Sequence, residues 1–248
     1  MHSQSLSRRS GARLLLLLVV ALVVAAAVAA APAAALPTPT VLTVSAQSPT
    51  VTWGSTAILN GVLQTTVDPI QPVDRQQVRV EYSEFTNVFP WPLAITVTND
   101  AAPYTSGEYT HSWQATRTYY WRMNYEGTDE WGAYVGNYVL VKVAPAIGKP
   151  GCPSSIKAGK KFTVSGSLKP KYPSGAKTVT VKAQRYSGGK WRSYKSYAAT
   201  NADSGSYTKF SVKVSISKKG MYRFYGTTQV TSTLAAGRSA DSRSLQVK

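Results

Sequence analysis

Through most of this chain apolar and polar residues alternate one by one. Phe162, Val164, Gly166 and Leu168 alternate with Thr163, Ser165 and Ser167, and Phe210, Val212, Val214 and Ile216 with Ser211, Lys213 and Ser215. The same period runs earlier through Ala57, Leu59, Gly61 and Leu63, then Val78, Val80 and Tyr82, then Val139, Val141 and Val143. A period of two marks strands with one buried and one wetted face. Turn clusters such as Ser187-Gly188-Gly189-Lys190 and Asp203-Ser204-Gly205 separate these runs. Beyond residue 35 no stretch reads as a three-turn amphipathic helix. About seven short strands per hundred residues, joined by short loops, predict an all-β chain of antiparallel sandwiches.

The pattern occurs twice. Gly54 and Gly61, followed by Leu63, recur as Gly159 and Gly166, followed by Leu168. Pro72 before Val78-x-Val80 recurs as Pro173 before Val179-x-Val181, and Trp91 as Trp191. Thr98-Asn99 recurs as Thr200-Asn201, Gly107-x-Tyr109 as Gly205-x-Tyr207, and Arg122 as Arg223. Matched positions lie 98 to 105 residues apart, so the differences are small loop insertions. Self-similarity at one domain length means tandem copies of one fold. The copies are expected over residues 40–144 and 154–248. Residues 145–153 between them hold three prolines and two glycines, which predict a short extended spacer without a ladder. Trp91 and Trp191 are candidates for the central-strand tryptophan of a sandwich, and Tyr109 and Tyr207 for its corner tyrosine.

Charge separates the copies. Residues 36–146 hold five Lys/Arg against nine Asp/Glu, a net of −4, whereas residues 147–248 hold twenty against two, a net of +18. A domain so charged repels itself, and an anionic partner offsets that cost. Lys169, Lys171, Lys177, Lys182, Lys190, Arg192, Lys195, Lys209 and Lys213 lie on or beside predicted strands, where alternation turns several outward together. Lysine outnumbers arginine here, which favours diffuse attraction over bidentate recognition. The expected partner is an anionic cell-wall polymer or membrane surface. Few aromatics interleave with these lysines, so no specific nucleic acid is expected.

Arg8, Arg9 and Arg13 precede an unbroken apolar run, Leu14 to Ala31, and then Ala33-Ala34-Ala35. This order predicts a secretory signal peptide over residues 1–35, cut after Ala35, and a secreted or cell-surface protein. The run is 18 residues long, the lower edge of a bilayer span, so an uncleaved anchor is the alternative. Cys152 is the single cysteine, which rules out an intramolecular disulfide. Within the proline-rich stretch it is expected to be accessible, and the protein to be a monomer.

Catalytic and metal chemistry finds little to work with. Once residues 1–35 are removed, His111 is the only histidine, and no Gly-x-Ser-x-Gly elbow exists. One cysteine and one histidine cannot close a zinc site. Asp68 with Asp74, Asn99 with Asp100, and Asp129 with Glu130 lack the spacing of a calcium loop. No enzyme activity, cofactor or metal is expected; a small hydrolase using scattered carboxylates is the remote alternative. Aromatics are the remaining resource, since the first copy holds five of the six tryptophans. Trp53, Trp113 and Trp131 have no aromatic counterpart in the second copy and are expected at the surface. Phe85, Phe89, Trp113 and Trp131 are the candidate platform for a glycan or a protein ligand.

The run Ser165-Gly-Ser-Leu-Lys-Pro170, then Val179-Thr-Val-Lys182, Gly189-Lys-Trp191, Gly205-Ser-Tyr-Thr-Lys-Phe210 and Gly220-Met-Tyr-Arg223 resembles the Ig-like repeat domains of secreted actinobacterial proteins. The resemblance covers about 100 residues of the second copy and, in the first, only the glycines, Trp91 and Gly107-x-Tyr109. It implies two tandem Ig-like antiparallel β-sandwiches used as spacers or surface-association modules, and it brings no catalytic motif. The expected protein is therefore a non-catalytic, exported binding module of the cell envelope. Its basic copy associates with anionic polymers, and a carbohydrate-binding or adhesin role of the first copy is the alternative.

Overall fold

The computed structural model describes residues 35–98 and 107–248. Apart from Ala35, the expected signal peptide lies outside the described residues, as do Asn99 and Asp100. Sixteen strands and no helix are found among the described residues, so none holds a helix long and apolar enough to cross a membrane.

The first copy is built from β1 (Thr40–Ala46), β2 (Thr50–Thr52), β3 (Thr56–Thr65), β4 (Gln77–Ser83), β5 (Leu93–Thr98), β6 (Glu108–Gln114), β7 (Tyr119–Tyr125) and β8 (Tyr134–Ala144). They form a three-stranded sheet, β1-β3-β6, and a five-stranded sheet, β2-β8-β7-β4-β5. The second copy is built from β9 (Ala146–Ile147), β10 (Ser155–Ile156), β11 (Lys161–Lys169), β12 (Val179–Ser187), β13 (Lys190–Ser204), β14 (Tyr207–Ser215), β15 (Gly220–Thr228) and β16 (Leu245–Val247). Their order is β10-β16-β15-β12-β13-β14-β11-β9. Strand β13 pairs with β12 up to Ala199 and with β14 from Thr200 on, so this one strand passes from one sheet to the other. Cut at that point, β9-β11-β14 repeats β1-β3-β6, and β10-β16-β15-β12-β13 repeats β2-β8-β7-β4-β5. The chain is two tandem Ig-like sandwiches.

The duplication reaches irregular details. A bulge lies between Val80 and Glu81 in the first copy and between Ala183 and Gln184 in the second. Gly54 and Gly159 both take a left-handed conformation, φ 79° and 77°, which only glycine adopts at low cost. Gly61 and Gly166 answer a different need. A Cβ on Gly61 would collide with Met123 Sδ of the facing sheet, and one on Gly166 with the ring of its cross-strand partner Phe210.

Four expectations change. The pairs β2–β8 and β10–β16 are parallel, not antiparallel. The opening strand of each copy is split, and its second half crosses to the edge of the other sheet, where it runs alongside the last strand. The stretch 145–153 is that split strand rather than a spacer. Pro145 alone separates β8 from β9, β9 pairs with β11, and Gly151 bridges to Ser165. Cys152 is consequently 7% exposed, with its thiol donating toward Arg243 O at 3.5 Å. The hydroxyl that reaches back along its own chain belongs to Tyr222, which donates to Lys218 O at 2.8 Å, and not to Tyr207. The Tyr109 hydroxyl donates to Val73 O at 3.1 Å.

The two cores meet. Leu234, on the loop between β15 and β16, is 6% exposed and packs in the core of the first sandwich. Thr118 N donates to Thr233 O at 2.9 Å and Ala235 N to Val143 O at 2.8 Å, one on each side of that leucine. Tyr172 packs against both cores.

Candidate functional site

The alternation of β11 and β14 sets the basic surface. Phe162, Val164, Leu168, Phe210 and Val214 turn inward and are buried. Lys161, Lys169, Lys209 and Lys213 take the opposite parity and are exposed, with Thr163, Ser165, Ser167, Ser211 and Ser215 between them. Thr163 pairs with Lys213 and Ser167 with Lys209, so Lys161 lies diagonally from Lys213 and Lys169 from Lys209. Diagonal neighbours on a sheet are roughly 7–8 Å apart, and four residues along a strand span about 13 Å. The outer face is thus a track of two lysine pairs floored by hydroxyls, and β11 and β14 contain no carboxylate.

The nine predicted cations do not form one surface. Lys169, Lys209 and Lys213 belong to the track. Lys161, which sequence reasoning missed, completes it; its place one residue before buried Phe162 was the available signal. Lys171 is exposed and bound to Asp203 at 2.7 Å, a contact that holds the Asp203 carboxyl below its ordinary value. Lys177 is exposed on the loop between β11 and β12. Lys182 is half-buried on the other sheet, opposite Tyr225. Lys190 and Arg192 project from the far end of β13, and the Lys195 ammonium lies 5.5 Å from the Tyr197 ring centre. The other carboxylate of this copy, Asp241, is bound by Arg223 and Arg238, both at 2.8 Å.

The first sandwich carries an aromatic face of different build. On the outer side of β7, Arg122 lies 4.6 Å from the Trp91 ring centre and 5.2 Å from that of Phe89, and its Nε donates to Glu81 Oε2 at 2.7 Å. Glu81 is buried, also faces Arg79 at 3.5 Å, and Arg79 pairs with Glu126. Phe89 stacks near Trp91, which Tyr138 flanks. Phe89 is 63% exposed and Trp91 3%, so Trp91 is covered by its outer-face neighbours rather than by the sandwich core. Phe85 and Phe89 are exposed as expected of a platform, but Trp113 and Trp131 are half-buried and pack against the core, as does Trp53. Trp113 sits 4.0 Å from Trp121, centre to centre, and His111 stacks on Trp113 at 5.6 Å. Burial lowers the pKa of His111.

The second copy repeats the cation–ring pair. Arg223 lies 4.6 Å from the Trp191 centre, and its Nε donates to Gln184 Oε1 at 2.7 Å. Glu81 and Gln184 occupy the same side of the same bulge, so the two copies differ there by one carboxylate. Recurrence of Trp and Arg at matched positions was the sequence signal for this pair. Its presence in both copies marks it as part of the fold.

Among the described residues no three His, Cys, Asp or Glu side chains converge in a way that holds a metal ion. No protein-family model matches the chain, and no curated protein matches it. Among solved structures it is similar to the ICAM-5 D1–D4 ectodomain fragment at 10% identity and a TM-score of 0.35. That match covers 83% of this chain and 53% of that one, so the chain spans about half of the fragment's length. The Ig-like assignment rests on strand order and pairing.

Proposed function

We propose that this protein is a non-catalytic, exported binding module of the cell envelope whose second sandwich associates with anionic polymers. The observation that carries this reading is the track of Lys161, Lys169, Lys209 and Lys213, exposed on one outer face whose two strands bear no carboxylate. Both carboxylates of the copy are engaged by other cations, Asp203 by Lys171 and Asp241 by Arg223 and Arg238. Lysine ammoniums spaced along strands attract a chain of negative charges without fixing its sequence. Binding of this kind weakens with salt, because exposed charges beyond roughly 10 Å are screened near 0.1 M.

The test is retention of residues 36–248 on purified envelopes and on soluble polyanions across a salt series. Retention should fall steeply with salt and be lost when Lys161, Lys209 and Lys213 are all replaced by glutamate. Retention that survives about 0.5 M salt, where the screening length is only a few Å, or that ignores the charge reversal, overturns the reading. The two sandwiches share a core contact, so the intact pair is the proper material. A second reading, glycan or protein binding by the first copy, draws support from exposed Phe85 and Phe89, the latter stacked near Trp91, which exposed Tyr138 flanks. It predicts a tryptophan fluorescence change on glycan addition, through Trp91.

A further inference from the structure

The lysine track ends at a cleft between the sandwiches. Ser167 and Lys169, the last outward residues of β11, line it together with Thr52 of the first copy, the junction Ala144–Gly148, and Arg238. Its volume is about 330 Å³, at the lower end of the range of ligand pockets. No carboxylate lines it, and the guanidinium of Arg238 is already held by Asp241 and stacked 4.3 Å from the Tyr225 centre. Besides Arg238, the lining residues with side-chain donors are Lys169, Thr52 and Ser167. The walls are fixed. Ser167 O accepts from Gly148 N at 2.8 Å, and the Leu234 contact locks the first copy against the second.

We propose that this cleft is a phosphate subsite, in which one phosphate of a polymer lying along the track is held by Lys169, Ser167 and Thr52. The inference rests on the anionic-polymer reading above and adds a defined position to it. Donors contributed by two sandwiches line one cleft, and a phosphate within a polymer sets its two non-bridging oxygens tetrahedrally rather than in the plane of a carboxylate, which suits donors that reach it from different sides. A preformed cleft binds one group more tightly than an open lysine face, because its donors are already placed. Thr52 lies over a hundred residues from the track in sequence, and only the fixed junction brings it there.

The experiment measures the affinity of residues 36–248 for polyphosphate and for polyglutamate near 0.1 M salt. The variants are Lys169→Ala, Thr52→Val, Lys161→Ala and Lys213→Ala. Thr52→Val changes neither charge nor strand propensity, so diffuse attraction leaves it silent. With a subsite, Lys169→Ala weakens polyphosphate binding about tenfold and Thr52→Val about threefold, the scale of one charged and one neutral hydrogen bond. Lys161→Ala and Lys213→Ala then cost twofold or less, and Thr52→Val leaves polyglutamate binding unchanged. Equal effects of all three lysine variants, with Thr52→Val silent on both polymers, overturn the subsite and leave the diffuse reading standing. The same loss on polyglutamate as on polyphosphate overturns the assignment to phosphate. Absence of binding to either polymer by the unsubstituted protein overturns the underlying reading as well.

Discussion

Leu234→Ala tests whether the two sandwiches fold as one body. Leu234 belongs to the second copy by sequence, yet at 6% exposure it fills the core of the first. Truncation to alanine removes three carbons and leaves a cavity. The loop cannot close over it, since the bonds from Thr118 N to Thr233 O and from Ala235 N to Val143 O hold it on both sides. Buried Leu→Ala changes cost about 2–5 kcal/mol, and a pinned site belongs in the middle of that range, near 3 kcal/mol. For a folded unit of this size each kcal/mol lowers the melting temperature by about 2–4 °C, so a fall of about 6–12 °C is expected. Tryptophan fluorescence is the appropriate probe. Trp53, Trp113, Trp121 and Trp131 pack in the same cluster as Leu234, and only Trp191 lies in the second copy. Val230→Ala, in the same loop but 70% exposed, is the control and should move the midpoint by less than about 2 °C, within the range of surface substitutions. A Leu234→Ala shift no larger than that of Val230→Ala refutes the reasoning. So does a wild-type protein that melts in two separate steps, with the tryptophan-reported step unmoved.

Two further outcomes follow from buried Glu81 and half-buried His111. Glu81→Gln should cost about 1–2 kcal/mol in urea unfolding and Glu81→Ala about 3 kcal/mol, because glutamine still accepts from Arg122 Nε as Gln184 does from Arg223. A stability gain on Glu81→Gln would mean that ring stacking alone holds Arg122. His111 has a folded-state pKa lowered by burial, so the unfolded chain takes up its proton first on acidification. Its contribution is therefore present above about 6.5 and is lost as pH falls from there through the lowered folded value. His111→Gln should flatten the stability–pH curve in that window, and an unchanged slope would assign the titration elsewhere.

Alternation alone was enough to predict strands, because a residue's parity along a strand decides which face it occupies. The recurrence of Gly54 with Gly61 and Gly159 with Gly166 was enough to reveal two copies, since a left-handed turn and a close approach each tolerate little but glycine. Parity also turned Lys169, Lys209 and Lys213 outward together, although it left Lys182, on another sheet, indistinguishable from them. What sequence could not decide was pairing between distant segments. Pro145-to-Pro153 has the composition of a spacer, yet a split strand that changes sheets needs the same kinks and the same freedom from a ladder. Trp113 and Trp131 look like surplus surface aromatics in sequence, and only the folded sandwich packs them against its core. Thr52 and Leu234 carry no signal of their own; each acquires its place only when the second sandwich closes against the first.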